Sequence, residues 1–208
     1  MITIGSTPFT MFHVRDTNLL VDAIDPVAFA LDERLPYWAE LWPSSVALAS
    51  WCAGGGVSAG RSVLELGCGL GLAGIAAARA GGEVTLSDYE KDALGFAGWN
   101  ARVNAVPVTL VELDWRTPVG DRVFDIVLGA DIMYDRANVD PLLGTLSRVM
   151  APHGSAVLAD PDRSTAHDFL REAISRGFSI SSATTRVPRG TQEISVHCHT
   201  LRREDHRR

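Results

Sequence analysis

The sequence predicts an α/β fold: a seven-stranded, mostly parallel sheet with an antiparallel last strand and helices on both faces. Three observations lead to this class. From residue 62 onward short apolar segments alternate with helical patterns, and a glycine-rich loop follows the first of them. Near the carboxyl end, two strand-like segments stand too close together for a helix to fit between them. Strands that alternate with helices are typical of a parallel sheet covered on both faces.

The size, charge and cysteine content of the chain limit what the protein can be. Its 208 residues suffice for one α/β domain with a sizeable core, and 46% of them are hydrophobic. The net charge of −6 argues against a broad nucleic-acid surface, which needs clustered Lys and Arg. Three dispersed cysteines are typical of a reducing compartment. Without a signal peptide or an apolar run of about 18 residues, we expect a cytoplasmic protein that does not enter a membrane.

Residues 1–35 are expected to form an N-terminal extension, and residues 36–208 the folded domain. Two stretches of the extension, Phe12–Arg15 and Leu19–Val21, are candidates for short strands. An aromatic segment, Pro-Tyr-Trp-Ala-Glu-Leu-Trp-Pro, then occupies residues 36–43. Its last proline begins a helix, because proline is tolerated in the first helical turn.

The sheet and its helices follow from residue 62. Five short apolar segments bounded by Gly, Pro or Asp predict strands at 62–66, 83–87, 107–113, 124–130 and 154–159. Helical patterns lie between them. At the carboxyl end, Phe178–Val187 and Glu193–Leu201 predict a hairpin, so the last strand must run antiparallel to its neighbour. The five strands and the hairpin together make seven strands.

The loop after the first strand has the spacing of a nucleoside-binding site. Three alternate glycines, Gly67, Gly69 and Gly71, follow the strand, and a helix of small residues begins at Leu72. Glycines let the backbone approach a ligand more closely than any Cβ would allow. The first turn of the helix also offers free N–H groups, so we predict a nucleoside cofactor. The dinucleotide pattern Gly-x-Gly-x-x-Gly fits only when counted from Gly69, two residues late.

Acidic and aromatic residues follow the next two strands. Asp88 ends the second strand, where a carboxylate can accept hydrogen bonds from both hydroxyls of a ribose. Asp114 and Trp115 end the third strand. Two of these residues have an ordinary structural explanation, as a helix cap for Asp88 and a core residue for Trp115. Their common position at the carboxyl ends of successive parallel strands favours a binding site, because those ends line the ligand crevice.

The sequence from Glu65 to Gly71, Glu-Leu-Gly-Cys-Gly-Leu-Gly, resembles motif I of class I S-adenosylmethionine-dependent methyltransferases, which have a Rossmann-like sheet with an antiparallel seventh strand. The resemblance implies that S-adenosylmethionine is the cofactor. In these enzymes an acidic residue at the position of Asp114 commonly meets the adenine amino group, and Trp115 would then border the adenine. The predicted cofactor-binding residues are Trp38, Glu65, Gly67, Cys68, Gly69, Gly71, Asp88, Asp114, Trp115 and Ala130.

The segment Asp131-Ile-Met-Tyr134 follows the fourth strand and resembles the Asp-x-x-Tyr motif of the seven-strand protein lysine methyltransferases. This family includes the electron-transfer-flavoprotein-β and chaperone lysine methyltransferases. The aromatic segment 36–43 and the sequence Asp160-Pro-Asp-Arg163 are also similar to the family. The resemblance implies a protein lysine methyltransferase that acts on a protein substrate. The Asn-Pro-Pro-Tyr motif of enzymes that methylate adenine or glutamine amides is absent from the sequence.

The chemistry of lysine methylation assigns roles to Asp131 and Tyr134, the predicted catalytic pair. With a reference pKa of about 10.4, only about 1 in 2,500 lysine amines is neutral at pH 7. Asp131 would bind the ammonium, but its charge raises the pKa of the amine and opposes deprotonation. We therefore assign Asp131 to capture and orientation, and Tyr134 to orientation of the nitrogen or to the wall of the site. Trp38, Trp42 and Tyr134 would remove water from the amine.

Other interpretations stay open for the same residues. Asp131 can instead cap the next helix while Tyr134 packs in the core. A small-molecule N- or O-methyltransferase would need an enclosed acceptor pocket, for which residues 1–35 are the candidate lid. A cofactor-binding protein without catalysis is the third possibility. The sequence His197-Cys198-His199 has no third ligand nearby, so we expect no metal, and we expect a monomer.

Overall fold

The structure of the protein is a computed structural model that describes residues 1–25, 29, 35–117 and 120–203. Its strands are β1 (Ile2–Ile4), β2 (Thr7–Phe9), β3 (Ser62–Leu66), β4 (Glu83–Asp88), β5 (Thr109–Glu112), β6 (Phe124–Ala130), β7 (Met150–Asp160), β8 (Phe178–Arg189) and β9 (Gln192–Arg203). Its helices are α1 (Asn18–Asp22), α2 (Pro43–Trp51), α3 (Leu72–Arg79), α4 (Lys91–Val103), α5 (Val139–Val149) and α6 (Ser164–Ser175). Two 3₁₀ turns, Tyr37–Ala39 and Arg136–Asn138, precede α2 and α5, and a π-helical turn, Cys52–Gly56, follows α2.

Seven strands form one sheet in the order β5-β4-β3-β6-β7-β9-β8. Strands β3 to β7 are parallel to one another. Strand β9 is antiparallel to both of its neighbours, β7 and β8. The predicted α/β class, the parallel sheet and the antiparallel last strand are therefore confirmed. The strand order reverses between β3 and β6, and ligands of open α/β sheets bind at such a switch point.

Helices cover both faces of the sheet, which confirms the predicted layers. On one face, side chains of α2, α3 and α4 form a core with sheet residues that include Val63 and Leu128. On the other face, α5 and α6 pack on residues that include Leu64 and Val127. Successive residues of a strand point to opposite faces. The central strands are therefore apolar on both faces, as parallel strands between helices must be.

Two strand boundaries differ from the prediction. The third strand, predicted at 107–113, is shorter: β5 covers Thr109–Glu112, and all four of its residues are exposed. In the described sheet it is an edge strand that pairs with β4 alone, so it buries little of its apolar surface. The fifth strand, predicted to begin at 154, begins at Met150 instead, because Met150 pairs with Phe124 across a bulge.

The prediction of short strands at Phe12–Arg15 and Leu19–Val21 in the N-terminal extension is wrong. Strands β1 and β2 form a hairpin instead, and Leu19–Val21 lies within α1. Phe12–Arg15, which the structure describes, has no regular secondary structure. Three or four apolar residues are too few to distinguish a strand from a helix or a loop. Residues 26–28 and 30–34 lie outside the described residues, so the boundary of the extension predicted at 1–35 stays a prediction.

Asn100 of α4 and Asn104, the C-cap of that helix, anchor the N-terminal segment on the sheet domain. Asn104 accepts a hydrogen bond from the N–H of Thr10 at 3.1 Å and donates one to its carbonyl oxygen at 2.7 Å. One turn earlier, Asn100 makes the same pair of bonds with Phe12, at 2.7 and 3.0 Å. Asn100 Nδ2 also donates to the carbonyl oxygen of Leu70, in the glycine loop, at 3.0 Å. One buried amide thus holds both the N-terminal segment and the glycine loop.

Candidate active site

A cavity of about 320 Å³ lies at the carboxyl ends of β3, β4 and β6, beside the switch point. This volume is in the usual range of small-molecule sites. The predicted site residues that line it are Trp38, Glu65, Gly67, Cys68, Gly69, Gly71, Asp88, Trp115, Ala130, Asp131 and Tyr134. The structure thus brings together every predicted site residue except Asp114, while the role of each stays a prediction.

The glycine loop turns sharply between β3 and α3. Gly67, Gly69 and Gly71 have positive φ angles of 60°, 51° and 83°, a conformation that strains any residue with a side chain. A Cβ on Gly69 would also lie 3.2 Å from the carbonyl oxygen of Trp38. The loop therefore needs glycine for its own conformation as well as for the approach of a ligand.

Glu65 is buried beneath the loop and caps the helix that follows it. Only 1% of the residue is exposed, and its Oε2 accepts a hydrogen bond from the N–H of Gly74 at 2.8 Å. Gly71, the N-cap of α3, has no side chain that could do this. Burial raises the pKa of Glu65 to about 8, so its carboxyl group is mostly protonated at pH 7. A Cβ on Gly74 would lie 2.7 Å from Oε2, so this contact requires glycine at position 74.

Asp88, at the end of β4, links two loops of the cavity. Its Oδ2 accepts a hydrogen bond from the N–H of Gly69 at 2.9 Å, and its Oδ1 accepts one from the N–H of Glu90 at 3.0 Å. Burial raises the pKa of Asp88, and these hydrogen bonds partly offset the rise. Each carboxylate oxygen has a second lone pair. Asp88 can therefore hold the glycine loop and still accept hydrogen bonds from ribose hydroxyls.

Trp115 belongs both to the core and to the cavity wall. Its Nε1 donates a hydrogen bond to Asn138 Oδ1 at 3.2 Å, and its ring atom Cζ3 lies 3.2 Å from the place that a Cβ on Gly67 would take. Asp114 is not among the described residues that line the cavity. Its carboxylate accepts hydrogen bonds from Nε and Nη2 of Arg116, at 2.9 and 2.7 Å. Of the two residues predicted beside the adenine, Trp115 lines the cavity, whereas the carboxylate of Asp114 is hydrogen-bonded to Arg116.

These residues fit a nucleoside cofactor. A loop with three alternate glycines, a carboxylate with remaining lone pairs and an indole ring line the same cavity, and a ribose with its base needs these groups. Cys68 lies in the loop, where burial raises the pKa of its thiol well above the usual value. The thiol therefore stays protonated and is a wall of the site rather than a nucleophile.

Asp131 turns sharply directly after β6. Its φ of 56° is uncommon for a residue other than glycine and is best tolerated by Asp and Asn. Its N–H donates to the carbonyl oxygen of Ala159, on β7, at 2.9 Å, and only 7% of its side chain is exposed. The next helical turn is capped by Asp135, whose Oδ1 accepts a hydrogen bond from the N–H of Ala137 at 2.9 Å. Asp131 is therefore not that cap, and its carboxylate is available to the cavity.

Arg163 pairs with Asp131 and was not among the predicted site residues. The Nε and Nη2 atoms of Arg163 donate to Asp131 Oδ1 at 3.2 and 3.0 Å. Its backbone N–H donates to Asp160 Oδ1 at 2.6 Å, and Asp160 is fully buried at the end of β7. The sequence predicted both strands in one parallel sheet but not their order. Because β6 and β7 are parallel neighbours in the structure, the residues that follow their carboxyl ends lie side by side.

The aromatic segment divides between two parts of the cavity. Trp38 packs on Phe96 of α4, with ring centroids 5.5 Å apart. Tyr37 instead makes edge contacts with Trp42 and Tyr134, at centroid distances of 6.2 and 5.7 Å. Tyr37 and Tyr134 are 47% and 37% exposed, so they form a rim that solvent reaches. Burial raises the pKa of Tyr134, and its hydroxyl therefore keeps its proton at neutral pH.

Within the part of the chain that the structure describes, no group of three or more His, Cys, Asp or Glu side chains could hold a metal ion. His197 and His199 stack with centroids 6.0 Å apart, and their Nδ1 atoms form hydrogen bonds with Thr184 and Ser182. Among the same described residues, no helix combines the length and the apolar character needed to cross a membrane.

Comparisons with known proteins agree with this geometry. A family model for lysine methyltransferases matches residues 36–175. EEF1A lysine methyltransferase 3 of Mus musculus is 34% identical over 160 aligned residues, which cover 72% of this chain and 68% of that protein. The electron transfer flavoprotein beta subunit lysine methyltransferase of Danio rerio is 34% identical over 145 aligned residues, which cover 68% of this chain and 56% of that protein.

A solved structure has the same fold. Magnesium protoporphyrin IX methyltransferase from Synechocystis PCC 6803, with bound S-adenosylmethionine, matches with a TM-score of 0.62 and 19% identity, over 93% of this chain and 100% of that one. At this identity the match shows the fold alone. The family model and the two relatives confirm the resemblance seen in motif I and in the Asp-x-x-Tyr sequence. The chain belongs to the lysine methyltransferase family, with S-adenosylmethionine as its cofactor.

Proposed function

We propose that the protein methylates the side-chain amine of a lysine in a protein substrate. The observation that carries this proposal is the position of Asp131. Its buried carboxylate lines the same cavity as the glycine loop and Asp88, at the end of a strand that neighbours β3. One of its oxygens, Oδ2, has no hydrogen-bond partner among the described residues. A cationic amine suits this position, because carboxylates bind ammonium groups through charge-assisted hydrogen bonds.

S-adenosylmethionine, when bound, would supply its sulfonium methyl group to the lone pair of the amine in an in-line displacement, with S-adenosylhomocysteine as the leaving group. The protein holds and aligns the two reactants, and alignment contributes up to roughly 7–11 kcal/mol. We assign the glycine loop and Asp88 to the nucleoside, with Asp88 accepting hydrogen bonds from the ribose hydroxyls. Trp115 borders the adenine in this assignment, and Asp114, which lies outside the cavity lining and is hydrogen-bonded to Arg116, stays the predicted partner of the adenine amino group. The remaining cofactor wall consists of Trp38, Glu65, Cys68 and Ala130.

On the acceptor side, Asp131 binds and orients the lysine ammonium. Its charge opposes loss of the proton, so a second effect must favour the neutral amine. Tyr37, Trp42 and Tyr134 line the cavity and exclude water from the bound side chain. Removal of an ammonium from water lowers its pKa. Because the Tyr134 hydroxyl keeps its own proton, it is not the base, and the proton of the amine passes to water.

A protein substrate is favoured over a small molecule. Both relatives have names that describe lysine methyltransferases of proteins, EEF1A and the electron transfer flavoprotein beta subunit. The half-exposed rings of Tyr37 and Tyr134 leave the rim accessible to a side chain on a protein surface. Of the described residues in the candidate lid, 1–35, Leu35 alone lines the cavity. The three cysteines are buried and unpaired, which favours a cytoplasmic location.

The test is methyl transfer from labelled S-adenosylmethionine to the proteins of a cell lysate. We expect a labelled protein band with the wild-type protein and its loss with Asp131→Asn, which keeps the shape of the side chain and removes its charge. Asp135→Asn is the matched control, because Asn also caps a helical turn and the label should persist. Both variants should bind S-adenosylhomocysteine as the wild type does. Label confined to small molecules would contradict the proposal.

A further inference from the structure

The acceptor carboxylate is already paired with an arginine. Arg163 donates from Nε and Nη2 to the same oxygen of Asp131, Oδ1, at 3.2 and 3.0 Å. Its Nε also lies 3.7 Å from Asp160 Oδ2. Arg163 lines the cavity, and 39% of its side chain is exposed. One guanidinium therefore connects the cavity with two buried carboxylates.

Each of these carboxylates keeps one oxygen without a hydrogen bond. Among the described residues, Oδ2 of Asp131 and Oδ2 of Asp160 are buried and have no hydrogen-bond partner. A buried polar atom without a partner costs free energy, so the pair calls for a ligand or another compensating role. Asp131 lines the cavity, whereas Asp160 is not among the described residues that do. A ligand in the cavity therefore lies beside Asp131, and Asp160 adds charge without contact.

The charges of these three side chains decide how an amine behaves beside them. Asp131 and Asp160 together carry up to two negative charges, and Arg163 offsets one. Burial raises the pKa of Asp160, and the charge of Asp131 raises it further. Without the arginine, a lysine ammonium would meet more negative charge and would hold its proton more tightly, because nearby opposite charge stabilises the charged form.

We infer that Arg163 is the resident counter-ion of the acceptor site. It holds Oδ1 of Asp131, leaves Oδ2 without a partner among the described residues, and reduces the negative charge that opposes loss of the amine's proton. Arg163 acts on the amine through Asp131 and is therefore a positioning residue. The inference rests on the proposed methylation of lysine.

Other titratable groups face the same cavity and are common to all variants of position 163. The carboxyl groups are those of Glu40, Glu65, Asp88 and Glu90. The phenols of Tyr37, Tyr89 and Tyr134 and the thiol of Cys68 also line it. Asp162 and His167, close to Arg163 in sequence, are exposed and form a hydrogen bond with each other at 2.7 Å. A difference between variants of position 163 therefore reports the arginine itself.

The experiment measures the single-turnover methylation rate as a function of pH, with the enzyme in saturating excess. The acceptor is the protein purified from the lysate band that the wild type labels. The rising limb of this profile reports the pKa of the lysine amine in the enzyme–substrate complex. For Arg163→Gln we expect the midpoint of the limb to move to higher pH by about one unit, since a charge within 4–6 Å shifts a pKa by that order. The rate should recover at the highest pH, and Arg163→Lys, which keeps the charge, should follow the wild type.

Binding of S-adenosylhomocysteine shows that each variant is folded, and Arg163→Met provides a second neutral variant. A rate that falls by the same factor at every pH would overturn the inference and indicate a merely structural arginine. A rate that rises at every pH would also overturn it, because Arg163 would then compete with the substrate for Asp131. Absence of methyl-lysine in the wild-type product would overturn the proposed function and this inference together. If the rising limbs of Arg163→Gln and the wild type coincide while the wild-type product contains methyl-lysine, the inference is overturned and the proposed function stands.

Discussion

The side-chain amide of Asn100 donates a hydrogen bond to the carbonyl oxygen of Leu70 at 3.0 Å and so joins α4 to the glycine loop. The same amide pairs with the backbone of Phe12, in the N-terminal segment. Leu70 lies between two glycines that need a left-handed backbone. The loop is therefore held from two elements, by Asn100 on α4 and by Asp88 at the end of β4.

Asn100→Ala should weaken the binding of S-adenosylhomocysteine by roughly three- to tenfold, the effect of one hydrogen bond of typical net strength. Calorimetric titration measures this. Asn104→Ala is the matched control, because Asn104 makes the same pair of bonds to the N-terminal segment and, among the described residues, forms no hydrogen bond with Leu70. Its affinity should stay within about twofold of the wild type. Equal losses in the two variants would contradict the assigned role of the loop contact.

Gly74→Ala should destabilise the protein by about 1–3 kcal/mol, although alanine favours helices. The new Cβ would overlap Leu86 Cδ2 and lie 2.7 Å from Glu65 Oε2. Gly144→Ala, on α5, is the opposite control, because a Cβ there meets nothing within 4 Å. It should stabilise the protein by about 0.5–1 kcal/mol. Urea unfolding measures both changes, and a stabilised Gly74→Ala protein would contradict the packing described between β4 and α3.

Glu65→Gln should stabilise the protein increasingly as the pH rises from 5 to 8. The pKa of Glu65 is about 8 in the folded protein, against an ordinary value of 4.5. Below pH 4.5 the folded and unfolded proteins both hold the Glu65 proton, and the contribution of this carboxyl group to the free energy of unfolding is complete. Between these values the unfolded chain releases the proton and the folded protein keeps it, so the contribution falls by at most about 1.4 kcal/mol per pH unit. Above the folded pKa the contribution has been lost.

Glutamine keeps the acceptor for the N–H of Gly74 but has no such proton. The measurement is the free energy of unfolding of both proteins in urea at several pH values. Other groups titrate alike in the two proteins, so the difference between them isolates Glu65. A difference that does not change with pH would show that Glu65 is ionised in the folded protein.

Tyr134→Phe should retain the methylation rate within about threefold, because the phenyl ring can keep the edge contact with Tyr37. Tyr134→Ala opens the rim to water and should lower the rate by roughly tenfold or more. Rates with labelled S-adenosylmethionine and the lysate acceptor measure both. A large loss in Tyr134→Phe would instead assign the orientation of the nitrogen to the hydroxyl.

The residues that follow the parallel strands could be predicted from the sequence, because short apolar runs and the spacing of glycines are local patterns. Gly67, Asp88 and Asp131 each follow a short apolar run, and the order of the strands places them at one edge of the sheet. The bounds of β5 were predicted too wide, because an edge strand buries few apolar residues, and its residues are exposed. Local apolar content at Leu19–Val21 indicated a strand where a helix forms.

Contacts between distant elements could not be read from the sequence. Asn100 is a polar residue in the middle of a helix, where a solvent-facing position is the ordinary expectation, yet it is fully buried. Its partners lie 30 and 88 residues away. The pairing of Arg163 with Asp131 spans 32 residues and two strands. Such contacts depend on how helices and loops meet over the sheet, and no local period encodes them.

The most direct test of the central claim identifies the amino acid that receives the methyl group. The protein band labelled by the wild type is digested, and mass spectrometry locates the added mass on a single residue. We predict methyl-lysine, with its loss in Asp131→Asn and its retention in Asp135→Asn. Methylation of histidine, arginine or a carboxylate, or methyl-lysine at an undiminished rate in Asp131→Asn, would contradict the assignment of Asp131 as the site that binds the lysine amine.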